Sequence, residues 1–455
     1  MKALLWVAGG ILGITLAGAA AGKAASEPDT SKFSKIAALM KEKCLACHSR
    51  DFALPFYARF PGVREIIEKD FNGGLRAMDL NIELVEETMP VGEAAIAKME
   101  WVVTNNTMPP ERFAAAHWGS RLSDAEKEDI LEWVKTTRAA HYATGSAAAD
   151  KANEPLQPLP EMIPVAPEKA ALGETLFNDK RLSADNTVAC VSCHEPDKAR
   201  ADNLRFPRGI RNQTGDINTP TIYNAAFNIR QFWNGRAADL RAQASWTPFN
   251  PLEMGSRNWA EIIAKLAEDE ELTARFKAVY PDGWSGEAIV EGIAEYEKTL
   301  LTPNSRFDKW LKGQEDALSA DEVRGYALFK AYRCASCHVG KTVGGQSFEY
   351  MDLKQDYFDA AKRRPLVSDA GLKGVTKKSS DLHKFKVPNL RNVELTAPYL
   401  HDGSVNTLDE AVLVMGTYLS GMDIPPGDRL LVVRFLRALT GEFRGGRIAG
   451  QIVPK

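Results

Sequence analysis

The sequence holds six cysteines, and all six fall in three copies of one pattern: Cys44-Leu-Ala-Cys47-His48, Cys190-Val-Ser-Cys193-His194 and Cys334-Ala-Ser-Cys337-His338. Two thiols at this spacing reach the two vinyl groups of a haem and form thioethers. The His that follows turns under the ring and gives the iron its proximal imidazole. Zinc or dithiol use of C-x-x-C finds no work for a His in every copy. A disulfide framework would leave thiols outside the pattern, and none is outside. Three covalently bound haem c groups are therefore expected, one per motif.

What each iron does depends on its opposite face. A Met thioether raises the potential and closes the site for electron transfer, whereas an open face permits chemistry with peroxide. For the third motif Met415 is the candidate sixth ligand, the alternative being a core methionine on an apolar helix face. For the first motif Met108, in Thr107-Met108-Pro109-Pro110, is the best match, with Met78, Met89 and Met99 as rivals. The second motif differs: between His194 and Met254 there is no other His and no Met. Its neighbourhood offers Trp233, Gln243 and Glu253 instead. A carboxylate beside an open haem face can move a proton from the near to the far peroxide oxygen, so that water leaves. A solitary Glu is usually a solvated surface residue, and that is the alternative for Glu253.

These groups need elements to position them. The pattern is mainly α, with few strand signals, and predicts three cytochrome c-like haem domains with long loops. A helix over 31–43, with Ile36, Met40 and Cys44 on one face, leads into the first motif. Capping boxes at Ser123–Glu126, Ser319–Glu322 and Thr407–Glu410 open further helices. The first should pack Ile130, Leu131, Trp133 and Val134 on the haem; the last should carry Met415. A final helix over 430–439 is closed by Gly441. Gly173-Glu-Thr-Leu176-Phe177 and Gly325-Tyr-Ala-Leu328-Phe329 precede the second and third motifs as a weak repeat, with an insertion over 178–188 in the second. The expected divisions are 1–25 (signal peptide or N-terminal membrane anchor), 26–142 (N-terminal monohaem domain), 143–167 (Ala/Pro-rich linker), 168–315 (domain of the second haem) and 316–455 (domain of the third). The chain of 455 residues fits a prior of about three domains of ~150 residues.

Met1-Lys2 and the uncharged run 3–22 form an export signal, with Ala17-Gly18-Ala19 and Ala19-Ala20-Ala21 both fitting cleavage sites. The run is also about long enough to span a bilayer uncut, and retention as an anchor is favoured. Export to the periplasm suits haem attachment. The net charge of −3 gives no sign of nucleic-acid binding.

From 172 to 440 the chain resembles the bacterial diheme cytochrome c peroxidase family. The stretches that carry this are Leu176-Phe177 with Arg181-Leu182-Ser183, Asn218-Thr-Pro-Thr-Ile-Tyr-Asn224, Phe232-Trp-Asn-Gly-Arg236, Glu253-Met-Gly255, Glu394-Leu-Thr-Ala-Pro-Tyr-Leu-His401-Asp-Gly403 and Met415-Gly416. With its extra N-terminal haem unit and apolar start, the whole resembles the triheme, membrane-associated branch described as quinol peroxidases. The resemblance implies a peroxidatic haem at the second motif and an electron-transfer haem, ligated by Met415, at the third. It implies Glu253 as the acid–base residue with Gln243 beside it, and Trp233 as the electron path between the two haems. Asn218 with the backbone carbonyls of Thr396 and Pro398 matches the family's calcium site, where neutral oxygens suit a hard cation. His401 matches a position near the electron-transfer haem.

Two departures stand out. Many relatives carry a His about eight residues before the Asn218 position, which caps the peroxidatic iron until the other haem is reduced. Here the stretch Arg208-Gly-Ile-Arg-Asn-Gln-Thr-Gly-Asp-Ile-Asn218 has none, which implies an iron that is open, or bound only by water or hydroxide, and no need for reductive activation. Asn234 also stands where many relatives have Asp. The expected reaction takes hydrogen peroxide, two electrons and two protons to two waters. The donor is quinol if the N-terminus is anchored, or a small cytochrome or copper protein if it is cleaved. The family is often dimeric, which allows a homodimer. Two rivals remain: a diheme oxidase that modifies tryptophans of a partner protein, which uses a Tyr where Met415 stands (Tyr418 is three residues on), and a non-enzymatic multihaem electron carrier.

Overall fold

Ser123, Ser319 and Thr407 each accept from the backbone N–H three residues on, and the Glu there reaches back, so all three helices open on complete capping boxes. The computed structural model describes residues 30–51, 54–80 and 91–448. The expected N-terminal anchor and Met89 lie outside the described residues. Among the described residues helices dominate, joined by long loops and short 3-10 turns, with two small antiparallel sheets.

Helices α1 (Thr30–Lys43), α2 (Leu45–His48), α3 (Val63–Ala77), α4 (Glu93–Thr104), α5 (Glu111–Ala116) and α6 (Asp124–His141) build the first core. Ile36 and Met40 from α1, Ile96 and Met99 from α4, and Ile130, Trp133 and Val134 from α6 are among its buried members, with Cys44 at its edge. Gly74 lets α3 lie directly on the first motif, since a Cβ there would collide with the carbonyl of Cys47.

The second core is built by α7 (Pro167–Phe177), α8 (Leu240–Trp246), α9 (Trp259–Ala267), α10 (Glu270–Val279) and α11 (Gly286–Lys298). Leu172, Leu176, Phe177, Phe276, Ile289 and Ile293 are buried there, and Cys190 packs against them. The third core is built by α12 (Arg306–Leu311), α13 (Ala320–Ala331), α16 (Leu408–Val414) and α17 (Pro426–Arg437), with the short helices α14 (Tyr357–Ala360) and α15 (Lys373–Thr376) on its loops. Phe307, Tyr326, Phe329 and Phe435 form an aromatic cluster inside it, with centroids 4.9 to 5.2 Å apart, and Cys334 packs at its edge. Each apolar core thus borders one Cys-x-x-Cys-His motif.

Two segments cross between cores. Residues 143–166 hold no helix and run along the third core: Leu156 is buried in it and pairs with Gly340, while Gln157 and Leu159 are buried. The hairpin β3 (Glu442–Phe443) and β4 (Gly446–Arg447) returns the chain to the second core, where Phe443 and Ile448 pack. The other sheet pairs β1 (Phe348–Tyr350) with β2 (Lys384–Lys386). The first core meets the third through α4, where Ala94 and Ala97 bury Val339 of the third motif's turn. No described helix is long and apolar enough to cross a membrane.

Candidate active site

The three motifs share one local geometry. Nδ1 of His48 faces the carbonyl of Met78 at 3.1 Å, Nδ1 of His194 faces that of Arg200 at 3.0 Å, and Nδ1 of His338 faces that of Val343 at 3.3 Å. A ring nitrogen tied to a backbone carbonyl fixes the tautomer and leaves Nε2 for a metal. Burial pulls His194 and His338 down to about 4, and lowers His48 too, which favours the neutral imidazole that ligation requires. The donor set of two thiols and one imidazole, repeated with the same supporting bond, fits c-type haem.

The second and third motifs open onto one cavity. Cys190, Cys193 and His194 border it, and so do Cys334, Cys337 and His338. Trp233 stands on its wall, and although it follows the second motif in sequence it packs on the third core. Its Nε1 donates to the carbonyl of Asn218 at 2.9 Å, and its own carbonyl accepts from the Lys386 N–H at 2.8 Å. His401 is buried, with its ring 4.4 Å from Phe385 and 6.5 Å from Trp233, and its Nε2 lies 2.8 Å from Oδ1 of Asp369.

Glu253 reaches the same cavity from the turn after α8, and Oε1 accepts from Nδ2 of Asn250 at 2.6 Å. Burial raises its pKa; the guanidinium of Arg236 and the Asn250 bond pull against this, and Asp216 adds to it. Gln243, on α8, also borders the cavity, with Nε2 donating to Thr247 at 3.1 Å. The loop before Asn218 is seated against Glu253. The Ile210 N–H donates to the Glu253 carbonyl at 2.8 Å, and a Cβ on Gly209 would collide with the Leu252 carbonyl.

Met415 directly follows α16, opens a wider turn over Met415–Ser420, and borders the cavity; Tyr418 is not among the residues that border it. Met254 and Met351 border it as well, both buried in apolar cores. Asn218, Thr396 and Pro398 each border the cavity, and Asn218 is held by its N–H to the His401 carbonyl at 2.8 Å and by Nδ2 to the Leu204 carbonyl at 2.9 Å. Of the candidates for the first motif, Met99 is buried in the first core, Met78 packs against it and supplies the carbonyl to His48, and Met108 is 41% exposed on the loop after α4.

Some residues of this site carried no role in the sequence reading. Arg236 and Asp216 act on Glu253. Glu297 is a buried carboxyl bordering the cavity, pushed up to about 8 by burial, with Oε2 unpartnered. Lys386 is buried, also borders the cavity, and is drawn down to about 8 by burial. Arg236 sits in a stretch that bears the family likeness; nothing in the spacing of the other three marks them.

Residues 167–316 match the family described as Di-haem cytochrome c peroxidase, and residues 14–136 match a Haem-binding domain. The cytochrome c peroxidase Ccp of Escherichia coli (strain K12) is 44% identical over 418 residues, which is 91% of this chain and 89% of that protein. The chain belongs to the di-haem cytochrome c peroxidase family. A cytochrome c551 peroxidase of Nitrosomonas europaea is 42% identical over 65% of this chain and 87% of its own length. The family fold recurs in the crystal structure of a MauG-like protein associated with microbial copper homeostasis: 28% identity, TM-score 0.56, covering 61% of this chain and 91% of that one. The diheme peroxidase BthA of Burkholderia thailandensis, at 21% identity and TM-score 0.53 over 66% of this chain and 94% of that one, shares the fold.

Proposed function

We propose that the chain is a peroxidase that takes hydrogen peroxide, two electrons and two protons to two waters, with the chemistry at the second motif. The observation that carries this is the placement of Glu253 in the shared cavity: it is near enough for its charge to act on Cys190 and Cys193 of the second motif, while Trp233, on the same cavity, packs on the third core. Bound haem supplies one-electron redox chemistry and an iron that takes peroxide. The protein's part is proton management and alignment. Glu253 accepts the proton of the near oxygen and delivers it to the far one, and burial, by raising its pKa, stabilises the protonated form it must pass through. Asn250 orients its carboxyl, Gln243 supplies an amide to the same space, and Trp233 bridges to the third motif.

Three haems are carried, one per core. Met108 would hold the iron of the first opposite His48, and Met415 that of the third opposite His338; both haems would supply one-electron carriage, the first on the donor side, with Trp233 as the path from the third to the second. Asn218 with the carbonyls of Thr396 and Pro398 holds calcium, whose neutral donors and shared wall tie the second core to the third. The absence of a His in 208–218, with Gly209 and Ile210 already seated against Glu253, supports a second iron ready for peroxide without reductive activation. The protein is exported and, with an uncut N-terminus, anchored at the inner membrane as a quinol peroxidase of the triheme branch; a homodimer is compatible with this. Tyr418, off the cavity and T-shaped against Tyr357 at 5.4 Å, weighs against the tryptophan-modifying oxidase.

The test is steady-state peroxide reduction by purified protein with quinol and with reduced cytochrome c, the N-terminus being sequenced in the same preparation. Two electrons consumed per peroxide are expected. Failure to consume peroxide with either donor or with a small reductant overturns the reading in favour of an electron carrier.

A further inference from the structure

The second and third motifs share a cavity, but the first lies on its own core, and it reaches the rest of the chain through α3 and α4. Lys98 is central to that junction. It lies on α4 with its side chain only 13% exposed, and Nζ donates to the Ala77 carbonyl at 2.8 Å and to Oε1 of Glu349 at 2.7 Å. Ala77 ends α3, and the carbonyl of the next residue, Met78, faces Nδ1 of His48. On the other side Glu349 is buried on β1, borders the cavity, and is near enough for its charge to act on Cys337. One line of covalent and hydrogen bonds therefore leads from the first motif's His to the wall of the third motif. The ammonium is near enough to both ends for its charge to act on His48 and on Cys337.

Flanking contacts hold the same face. Arg76 pairs with Asp352 and lies 4.5 Å over the ring of Tyr350, and Asp352 is 2.9 Å from Nδ1 of His383. Trp101 donates to the Ala331 carbonyl at 3.2 Å, under the guanidinium of Arg333 at 4.8 Å. An exposed ion pair would contribute little here. The Lys98–Glu349 pair is buried, so removing one partner leaves an uncompensated charge inside the interface. Electron tunnelling falls steeply with the gap between redox centres, so a docked face with a bonded bridge keeps that step uniform.

We propose that Lys98 and Glu349 are positioning residues that hold the first haem in register with the third and set the rate of electron passage between them. This rests on the reading that the first haem receives the electrons. The step moves one electron only: the first haem is oxidised, the third is reduced, and no bond or proton changes place. The experiment uses the purified holoenzyme as Lys98→Met, Glu349→Gln and the conservative Lys98→Arg, which keeps a cation and donors for both partners. Haem content, the midpoint potential of each haem, and the first-to-third transfer rate after rapid reduction without peroxide are measured, along with turnover driven by a viologen that reduces the third haem directly. Lys98→Met and Glu349→Gln should keep three haems and viologen-driven turnover but lose at least about tenfold in the transfer rate, whereas Lys98→Arg should keep most of it. Wild-type transfer rates in Lys98→Met and Glu349→Gln overturn the proposal, as does a Lys98→Arg form no faster than Lys98→Met. A Cys44→Ala/Cys47→Ala form, lacking the first haem, tests the underlying reading separately: if its donor-driven turnover equals wild type, that reading fails, whatever the transfer rates show.

Discussion

Replacing Glu253 with Gln is the most informative perturbation of the site. The amide has the carboxyl's shape, and its oxygen can still accept from Asn250, whose Nδ2 now lies 2.6 Å from Oε1. The cavity wall and both motifs should therefore stay in place. What is lost is the ability to take a proton from one peroxide oxygen and return it to the other. General acid–base catalysis of this kind contributes about 10²–10⁴-fold, or ~3–5 kcal/mol of barrier. The assay is stopped-flow peroxide reduction by the reduced holoenzyme, with spectra confirming haem content and sulfur ligation of the third haem. A loss smaller than about tenfold with intact spectra would remove Glu253 from the mechanism. Two neighbours give a directional check. Burial raises the Glu253 pKa, Arg236 opposes that, and Asp216 reinforces it. A base works deprotonated, so activity falls as pH drops through its pKa. Arg236→Leu should move the acid limb of kcat/KM to higher pH, and Asp216→Asn to lower pH. Shifts in the same direction would show that charge near Glu253 does not govern the profile.

Met415→His should leave three haems attached but abolish sulfur ligation at the third motif and lower its midpoint potential, because a thioether favours the reduced iron more than an imidazole does; spectroelectrochemistry reads both. Gly209→Ala forces the loop off the Leu252 carbonyl and so displaces Glu253; turnover should fall with haem content unchanged. Glu93, buried on α4 against Gly340 of the third core with Oε1 unpartnered, is pushed up to about 7 by burial, against the pull of Arg138 and Lys341. The native state thus holds a proton that the unfolded chain has released, so stability falls by at most about 1.4 kcal/mol per pH unit between ~4.5 and 7; Glu93→Gln should shrink the drop in Tm between pH 5 and 8. Chelation should slow transfer between the second and third haems, with calcium restoring it; indifference to chelation would remove the proposed calcium.

Much of the scaffold was legible because its signals are local. Capping boxes at Ser123, Ser319 and Thr407 are exchanges across three residues and open helices where the sequence places them. The α1 pattern and the burial of Ile130, Trp133 and Val134 follow from helical periodicity. The segment 143–166 was less legible. Its prolines and alanines read as a spacer, yet Leu156 and Leu159 are buried and Gln157 lies among them. Composition reports the lack of helix and says nothing about which surface a strap will cover.

The sequence by itself determined the three attachment motifs, since thioether chemistry dictates their spacing within a single turn of chain. It also determined that no other His or Met stands between His194 and Met254, and it named Glu253, Gln243, Trp233 and Met415 as candidates. Only the tertiary structure decided that these four border one cavity with two of the motifs, that Arg236 and Asp216 act on Glu253, and that Lys98 joins the first core to Glu349 across 251 residues. The physical reason is range. Covalent attachment and helix capping act between neighbours in sequence, whereas burial, charge and electron paths depend on distances that only the folded chain sets.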